Sequence, residues 1–409
     1  MARILYSWEW GAGTGHLRLF APIAEHLVNS GHEVTLVTRD LNGTSALFPP
    51  HTVRCLPAPI QMPAGHRSIP NPVTLAQLAW NLVFHNEDQS ADSIRSWRDI
   101  FRLVEPDLLI ADFGLMSLAV AKSLGVPSVR IGNGYLCPPS GDSPALFDLF
   151  LEEQLDKEAL DDIEKASRCI ISAIGKALCK VGLKRQPSWR DLLLPVERTV
   201  LITIPALDPY QNQRENDATY LGFWDRCGGR DAVWSGTAEI KAFAYLKPFA
   251  GLKSLLTELT SCNVATALVI DGDANLEPSI QTTHPIQLQD GMVDISTLTK
   301  ECRFAICNGN HGTVCRLLTA GIPILSAPLF LEHRITSAAV HRYGCGLSIR
   351  PNTPGNYYAA VSRICSDEKY RANANQFASE NRHYGEGAYE RAIAQLETFL
   401  GHQSGDAFH

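Results

Sequence analysis

The chain alternates from its first residues between short apolar runs and amphipathic stretches. Residues 3–8 and 33–38 are apolar runs of strand length, and residues 16–29 between them repeat apolar positions at helical spacing. Further apolar runs at 108–111 and 127–131 continue the alternation. This pattern is typical of a parallel sheet covered by helices and joined by right-handed crossovers, so the first part of the chain is predicted to be an α/β domain.

A second α/β series begins near Ile240. Its predicted strands are 241–245, 265–270, 304–307 and 322–326, and a helical period follows over 370–400, before a polar tail. A chain of 409 residues exceeds what one hydrophobic core usually serves, so two domains are expected. We place them at 1–210 and 236–380, with a linker at 211–235 and the last segment at 381–409.

Prolines cluster over 57–72 and predict a loop, after which a helical stretch carries Trp80, Phe84 and Trp97. Another helical region is predicted from 145 to about 182, and it begins near Phe147 and Phe150. Trp80, Phe84 and Phe147 are candidates for lining an apolar acceptor pocket. Ordinary helix packing is the alternative, and the helical spacing favours it for most of these aromatics.

Composition and charge exclude several classes. A net charge of −7 without a Lys/Arg cluster is unlike a nucleic-acid binder. The 11 cysteines include no C-x-x-C pair, so we interpret them as buried thiols in a reducing compartment. No apolar run reaches the roughly 18 residues of a membrane span, and no cleavage signal follows the first strand. We expect a cytoplasmic protein with no nucleic-acid partner.

The first glycine cluster, residues 11–15, stands where a strand passes into a helix, a position that favours an anion or a polar ligand. The dehydrogenase fingerprint requires glycine at the position that His16 occupies, which argues against a dinucleotide site. His16 is a candidate general base. It can equally be a residue that only caps the turn.

Asp112 ends the apolar run that follows Pro106, at the sheet edge where open α/β folds bind ligands. A carboxylate paired with an imidazole fixes its tautomer and raises its basicity, so Asp112 is a candidate partner of His16. The alternative is a helix cap. Residues 308–316 repeat the strand, glycine turn and helix start, with the Thr313 hydroxyl available, which suits a diphosphate.

Several motifs together resemble a known family. Gly15-His16 is followed by Leu-Arg-Leu-Phe-Ala-Pro, residues 31–34 read Gly-His-Glu-Val, and Asp112 ends its strand. Later come His311-Gly-Thr, Gly321-Ile-Pro and the run from Pro328 to Glu332. Over nearly its whole length the chain resembles a GT-B glycosyltransferase, close to the UDP-glycosyltransferase and antibiotic glycosyltransferase group.

That resemblance implies an α/β fold of two Rossmann-like domains facing across a cleft, with the last helix crossing back to the N-terminal domain. The N-terminal domain would bind the acceptor, with His16 as base and Asp112 as its partner. The C-terminal domain would bind a nucleotide sugar. The donor-binding residues implied include Gly15, for which no part of the donor is specified. Met292 and Val293 would contact the nucleobase, Glu332 and His333 the sugar, and the diphosphate and ribose would be surrounded by Asn308, Gly309, His311, Gly312, Thr313 and Arg316.

The chain departs from the family pattern at three donor positions. Asn308 replaces the usual histidine of the phosphate motif, Arg316 replaces the ribose-binding glutamate, and His333 replaces the glutamine after the acid. Asn308 and Arg316 offer donors to phosphate, but neither reproduces the bidentate ribose contact of a carboxylate. The identity of the sugar therefore stays open.

Asp271-Gly-Asp273 matches the D-x-D pattern that holds a divalent metal in other glycosyltransferases. Such a short acidic pattern is frequent in turns, and the resemblance implies no metal, so we predict none.

The predicted function is an inverting, metal-independent transfer of a sugar from a UDP- or dTDP-sugar to a hydroxyl of a small acceptor, without a cofactor. A nucleotide-sugar 2-epimerase and a non-catalytic nucleotide-sugar binder are alternatives on the same fold, and a dehydrogenase is a third. Monomer and homodimer are both open.

Overall fold

The computed structural model describes residues 1–11, 13–49, 51–60, 69, 71–84, 87–150, 156–186, 188–193, 196, 198–214, 216–224, 228–272, 285–353 and 357–405. The chain divides into two compact units. Unit 1 is Met1–Trp224 together with Ala388–His409, and unit 2 is Asp225–Gly387. The first division lies inside the predicted linker, 211–235, and the second lies seven residues after 380.

A parallel sheet forms the centre of unit 1. Its described strands follow the spatial order β3-β2-β1-β4-β5-β6-β7. The strands are β1 Arg3–Trp8, β2 Glu33–Thr38, β3 Val53–Pro57, β4 Leu108–Asp112, β5 Ser128–Gly132, β6 Arg198–Leu201 and β7 Thr219–Tyr220. The helices are α1 Gly15–Asn29, α2 Thr44–Leu47, α3 Leu75–Ala79, α4 Glu87–Val104, α5 Leu115–Leu124, α6 Lys157–Lys180 and α7 Trp189–Leu193, with a π-helical turn at Trp80–Phe84.

Strand β1 shows why the sheet is covered on both faces. Successive side chains of a strand point to opposite faces, so Leu5 and its neighbours Ile4 and Tyr6 enter different cores. Leu5 packs with α4, α5 and α6, whereas Ile4 and Tyr6 pack with α1. A strand that is buried on both faces has to be almost wholly apolar, which is the pattern of a parallel sheet.

The last helix, α13 (Ala388–Gly405), belongs to unit 1 although the chain reaches it after unit 2. Its Ala392 and Leu396 join the core on the α1 face. The Tyr389 hydroxyl donates to the Pro22 carbonyl at 3.0 Å, and Glu397 lies 2.9 Å from His26 Nε2. The C-terminal helix therefore completes the core of the first unit.

Unit 2 repeats the architecture. Its described strands follow the order β10-β9-β8-β11-β12-β13, and every pair is parallel. The strands are β8 Ile240–Leu246, β9 Val264–Ile270, β10 Ile286–Leu288, β11 Phe304–Cys307, β12 Ile324–Ser326 and β13 Gly346–Ser348. The helices are α8 Leu252–Ser261, α9 His311–Thr319, α10 Leu331–Arg342, α11 Tyr357–Ser366 and α12 Glu368–Asn381, and 3-10 turns occupy Ile295–Lys300 and Arg382–Tyr384.

Both sheets reverse their strand order at one point. In unit 1 the reversal separates β1 from β4, and in unit 2 it separates β8 from β11. In open α/β sheets the loops diverge there at the carboxyl ends of the strands and leave a crevice for ligands. Residues that follow β1, β4, β8 and β11 are thus placed at the two positions where a site is expected.

The eight predicted strands are present, and β3, β6, β7, β10 and β13 were missed. Strands such as β7 and β13 are too short for apolar alternation to be visible: β7 spans Thr219–Tyr220 and β13 spans Gly346–Ser348.

The helix predicted from 145 begins only at Lys157, because Asp156 caps it by accepting from the Ala159 amide at 2.8 Å. Much of the predicted loop 57–72 lies outside the described residues. Among the described helices, none combines the length and the apolar character needed to cross a membrane.

A buried ion pair fastens the loops after β5 and β6 of unit 1. The Arg214 guanidinium contacts the Asp208 carboxylate, and the two side chains are 4% and 0% exposed. Asp208 also accepts from the Tyr220 hydroxyl at 2.6 Å, while Arg214 Nη2 donates to the Cys137 carbonyl at 2.6 Å. The charges are therefore well hydrogen-bonded, as burial requires.

Replacement of Arg214 by methionine should leave the Asp208 carboxylate buried without its counter-charge and lower the free energy of unfolding by about 3–5 kcal/mol. Urea denaturation followed by tryptophan fluorescence measures it, because every tryptophan except Trp234 lies in unit 1. Arg168→Met is the matched control, since its pair with Glu164 is exposed and should contribute little. Equal midpoints for the two variants would contradict a stabilising role for the buried pair.

Glu9 is a second buried charge in unit 1. Its carboxylate accepts from the amides of Met116 and Ser117, at 3.2 and 2.6 Å, at the start of α5. The carboxylate therefore caps that helix, where a negative charge is favoured. Burial nevertheless dominates and raises the pKa of Glu9 to about 7, from its ordinary value of 4.5.

A raised carboxyl pKa means that the folded chain holds the proton more tightly than the unfolded chain does. The Glu9 contribution to stability should therefore fall as pH rises from about 4.5 to 7, by up to about 3 kcal/mol. Unfolding free energies measured at intervals across that window test the sign. Glu9→Gln should flatten the dependence, whereas Glu33→Gln, at an exposed position, should leave it unchanged.

Candidate active site

His16 and Asp112 meet at the strand-order reversal of unit 1. His16 is in the first turn of α1, directly after β1, and Asp112 is the last residue of β4. The His16 Nδ1 lies 2.7 Å from Asp112 Oδ2, and the two side chains are 22% and 4% exposed. The Tyr6 hydroxyl donates to the same Oδ2 at 2.6 Å. The structure thus brings together the two residues that the sequence singled out and adds Tyr6, which the sequence analysis missed.

This arrangement fixes the protonation pattern of the ring. A carboxylate only accepts, so the hydrogen on the shared contact belongs to His16 Nδ1. In the neutral ring Nε2 then carries the lone pair. A histidine of this tautomer, backed by a buried carboxylate, is able to take a proton from a hydroxyl.

Trp8 forms one wall beside His16. Its indole stacks on the imidazole with ring centroids 5.0 Å apart and an interplanar angle of 16°. A Cβ on Gly11 would lie 2.0 Å from the Trp8 ring, so only glycine lets the backbone pass over the indole. Part of the glycine cluster is thereby explained by packing against Trp8.

Gly13 of the same cluster forms a hydrogen bond within unit 1. Gly13 has a φ of +84°, and its amide donates to Asp40 Oδ2 at 3.3 Å, so an internal carboxylate occupies this donor. Gly15 opens α1 next to His16. Gly15 therefore lies in unit 1, whereas the other predicted donor-binding residues lie in unit 2.

In unit 2 a recess gathers four of those predicted residues, Met292, Val293, Thr313 and Arg316. The other residues that line it are Phe243, Tyr245, Val269 and Ile295. The walls are therefore mainly apolar, with Thr313 and Arg316 adding polar atoms on one side.

The loop that carries Met292 and Val293 is held by backbone contacts. The Arg230 amide donates to the Met292 carbonyl at 3.0 Å, and the Asp294 amide donates to the Arg230 carbonyl at 2.9 Å. A Cβ on Gly229 would lie 2.4 Å from the Asp294 nitrogen, so glycine permits this close approach. The loop is thus fixed in place beside the recess.

Asn308 is fully buried and engaged at both ends. Its Oδ1 accepts from the Lys247 amide at 2.6 Å, and its Nδ2 donates to the Ala327 carbonyl at 2.9 Å. The side chain therefore joins the chain ends that follow β8, β11 and β12. The expected direct contact of Asn308 with a phosphate is corrected to a positioning role, because the side chain is 0% exposed and each of its polar ends already contacts the backbone.

The turn between β11 and α9 depends on Gly309. Its φ is +94°, and a Cβ there would lie 2.7 Å from the His333 carbonyl oxygen. Helix α9 then starts at His311, with Gly312 exposed and Thr313 buried in its first turn. His311 itself is buried, 3.4 Å from Cys315 Sγ, so it faces the interior of unit 2.

Glu332 and His333 open helix α10. Burial, reinforced by the positive charge of Lys247, lowers the pKa of His333 to about 4. His333 is therefore neutral near pH 7, and its Nδ1 accepts from the Leu329 amide at 3.4 Å. The ring hydrogen then sits on Nε2, so His333 offers an N–H donor as a glutamine would.

Lys247 is a site residue that the sequence analysis did not select. It follows β8 at the strand-order reversal of unit 2, and its Nζ lies 3.0 Å from Asp271 Oδ2. The two side chains are each 39% exposed. Its position after a strand end at the reversal is the signal that identifies it, once the strand order is known.

The acceptor-lining prediction is wrong for Phe84 and Phe147. Phe84 is 1% and Phe147 is 0% exposed, so both are core residues. Phe147 stacks on Tyr135 with ring centroids 5.2 Å apart, and Phe84 packs edge-on against Trp10. Trp80 is half-buried against the same core as Phe84. Helical aromatic spacing here reports packing.

The acidic D-x-D pattern is only partly described. Asp271 pairs with Lys247, and Asp273 lies outside the described residues. Within the described ranges no group of three His, Cys, Asp or Glu side chains is arranged to hold a metal ion.

The chain is similar to known proteins in sequence and in fold. Residues 254–385 match the family model described as the C-terminal domain of proteins like erythromycin biosynthesis protein CIII. The L-demethylnoviosyl transferase of Streptomyces niveus is 24% identical, covering 90% of this chain and 92% of the relative. The chain is also similar to the calicheamicin glycosyltransferase CalG4, with a TM-score of 0.69 and 16% identity over 98% of each chain.

A further solved structure, the Streptomyces sp. SF2575 glycosyltransferase SsfS6 complexed with thymidine diphosphate, has a TM-score of 0.60 and 16% identity over 97% of this chain and 100% of its own. The named proteins are sugar transferases, which supports transfer and gives no support to the epimerase alternative. The two parallel sheets, the family model and the relatives together show that this chain is a glycosyltransferase with the GT-B fold.

Proposed function

We propose that the chain transfers a sugar, with inversion and without a metal, from a thymidine diphosphate sugar to a hydroxyl of a small acceptor. The observation that carries the proposal is the contact of His16 Nδ1 with the buried Asp112 carboxylate. It provides a base of defined tautomer on a rigid sheet edge.

The reaction balances on these groups. The acceptor hydroxyl gives its proton to His16 Nε2 while its oxygen forms the bond to the anomeric carbon. The bond from that carbon to the phosphate oxygen breaks, and the nucleoside diphosphate leaves with the electron pair. Asp112 stabilises the imidazolium that forms, and displacement from the opposite face inverts the anomeric centre.

Unit 2 supplies groups that suit the leaving diphosphate. The amides at the start of α9 and the Thr313 hydroxyl are hydrogen-bond donors, and the helix dipole favours an anion there. Lys247 adds a positive charge at the same sheet edge, and neutral His333 adds an N–H donor. Such fixed donors stabilise the departing charge without a metal ion.

The recess favours a deoxyribose nucleotide. Arg316 occupies the position of the ribose-binding glutamate of the family, and a guanidinium has no acceptor for a ribose hydroxyl. A 2′-hydroxyl therefore loses its usual partner, whereas thymidine has none to satisfy. The apolar walls at Val269, Val293 and Ile295 also suit the thymine methyl group. The neighbour SsfS6 was solved with thymidine diphosphate, which supports this choice.

We expect an apolar or aromatic acceptor; the support in the structure is the Trp8 indole beside His16, although that residue is 3% exposed. The free thiols of the described residues fit a reducing compartment, which supports a cytoplasmic location.

Replacement of His16 by glutamine should lower kcat on the order of 10²–10⁴-fold, because it removes the base. Asp112→Asn should lower kcat by at least about 10²-fold, because an amide cannot stabilise the imidazolium or fix the tautomer. Product formation from a dTDP-sugar and a panel of phenolic and macrocyclic acceptors measures both.

His26→Gln is the matched control for these variants. His26 lies on the same helix, contacts Glu397 and should be replaceable without loss of kcat. Binding of thymidine diphosphate should be unchanged in all three. Turnover by the His16 variant within a few-fold of wild type would exclude His16 as the base.

Exchange of Arg316 for glutamate should shift the preference toward uridine diphosphate by about 10-fold or more in the ratio of Kd values, because a carboxylate accepts from both ribose hydroxyls. Calorimetry and thermal shift with the uridine and thymidine diphosphates measure the ratio. Lys300→Glu, at an exposed position, makes the same charge change and should leave the ratio unaltered. A wild-type chain that binds neither nucleotide would overturn the proposed donor.

A further inference from the structure

We propose that Glu9 is a positioning residue for the His16–Asp112 pair: with Ser7 and Ser117 it clamps the turn that carries Asp112. This inference rests on the proposed function of that pair. The clamp is made of side chains from β1 and its extension on one side and from the start of α5 on the other.

The side chains of strand β1 contact different partners on its two faces. Tyr6 and Trp8 point to one face, where they contact Asp112 and His16. Ser7 points to the other face, where its Oγ lies 2.7 Å from Ser117 Oγ. Glu9, beyond the end of β1, meets the amides of Met116 and Ser117 on the same side as Ser7.

The turn Asp112–Gly114 is held between these two sets of contacts. Ser117 Oγ donates to the Gly114 carbonyl at 3.1 Å. A Cβ on Gly114 would lie 2.5 Å from Ser7 Oγ, 2.3 Å from Ser117 Oγ and 3.1 Å from Glu9 Oε1, so the turn touches all three side chains. Displacement of the clamp would therefore move the backbone that begins at Asp112.

The same turn contains a strained residue. Phe113 has a φ of +54°, a region that bulky side chains rarely adopt. Its ring packs edge-on against Trp10, with centroids 4.0 Å apart. Backbone strain of this kind persists only where surrounding contacts hold it. The Glu9 clamp and the Trp10 contact are the contacts that do so here.

Strain explains why the clamp matters for chemistry. If the strained Phe113 backbone relaxes, the carboxylate of the adjacent Asp112 shifts away from His16. Misplacement of a catalytic group by about 1 Å is enough to cost on the order of 10²-fold in rate. Glu9 is 1% exposed and so acts through Asp112.

Two variants loosen the clamp in different ways. Glu9→Gln keeps the shape but weakens the carboxylate contacts to the α5 amides, and Ser117→Ala removes the hydroxyl that joins Ser7 to Gly114. Both should lower kcat on the order of 10-fold while the KM for the nucleotide sugar stays unchanged. Ser123→Ala, on the same helix, removes bonds to the Ala119 and Lys184 carbonyls and should leave kcat unchanged.

A spectroscopic measurement separates positioning from stability. In the full chain labelled with ¹⁵N-histidine, the His16 ring of the wild type should show a protonated Nδ1 and an unprotonated Nε2. The Glu9 and Ser117 variants should show a mixture of tautomers at a temperature where both are folded, and His16→Gln assigns the signal.

An unchanged His16 spectrum in both variants, with kcat falling only as far as the folded fraction falls, would overturn the positioning role. Absence of sugar transfer by the wild type with every donor tested would instead refute the proposed function. The His16 spectrum would then still decide whether Glu9 and Ser117 control the ring.

Discussion

The parallel direction of the strands is the constraint on which the rest of the structure depends. It sends every strand end to the same edge of its sheet, and each reversal of strand order opens a position there. His16 and Asp112 follow neighbouring strands of unit 1, and Lys247 and Asn308 follow neighbouring strands of unit 2. The members of these two pairs are 96 and 61 positions apart in the chain, and they meet without any local sequence relation between them.

Much of this was accessible from the sequence, and the reason is physical. Strands buried on both faces must be continuously apolar, so β1, β4, β9 and β11 are visible as runs. His16 and Asp112 were accessible because each follows such a run. Strands β7 and β13 were missed because pairing with neighbouring strands, rather than their own composition, makes them strands. Gly346 of β13, for example, lies so close to β12 that a Cβ there would be 1.9 Å from the Ile324 carbonyl oxygen.

The errors at the site share one cause. Asn308, Phe84 and Phe147 have side chains suited to ligand contact, but the structure uses them internally. The residue type indicates which groups a side chain is able to bind, whereas only the fold shows which groups that side chain already contacts. Tyr6, Glu9 and Lys247 show the converse, because each gains its role from partners distant in the chain.

The position of α13 after unit 2 in the sequence has a consequence for synthesis on the ribosome. Its Ala388, Ala392 and Leu396 supply part of the core beside α1, so unit 1 lacks part of that core until α13 has been translated, after unit 2. All of unit 2 lies between those two parts of the chain and reaches its full complement of strands and helices earlier. Most of unit 1 is therefore translated before unit 2, but unit 1 completes its core after unit 2 has been translated.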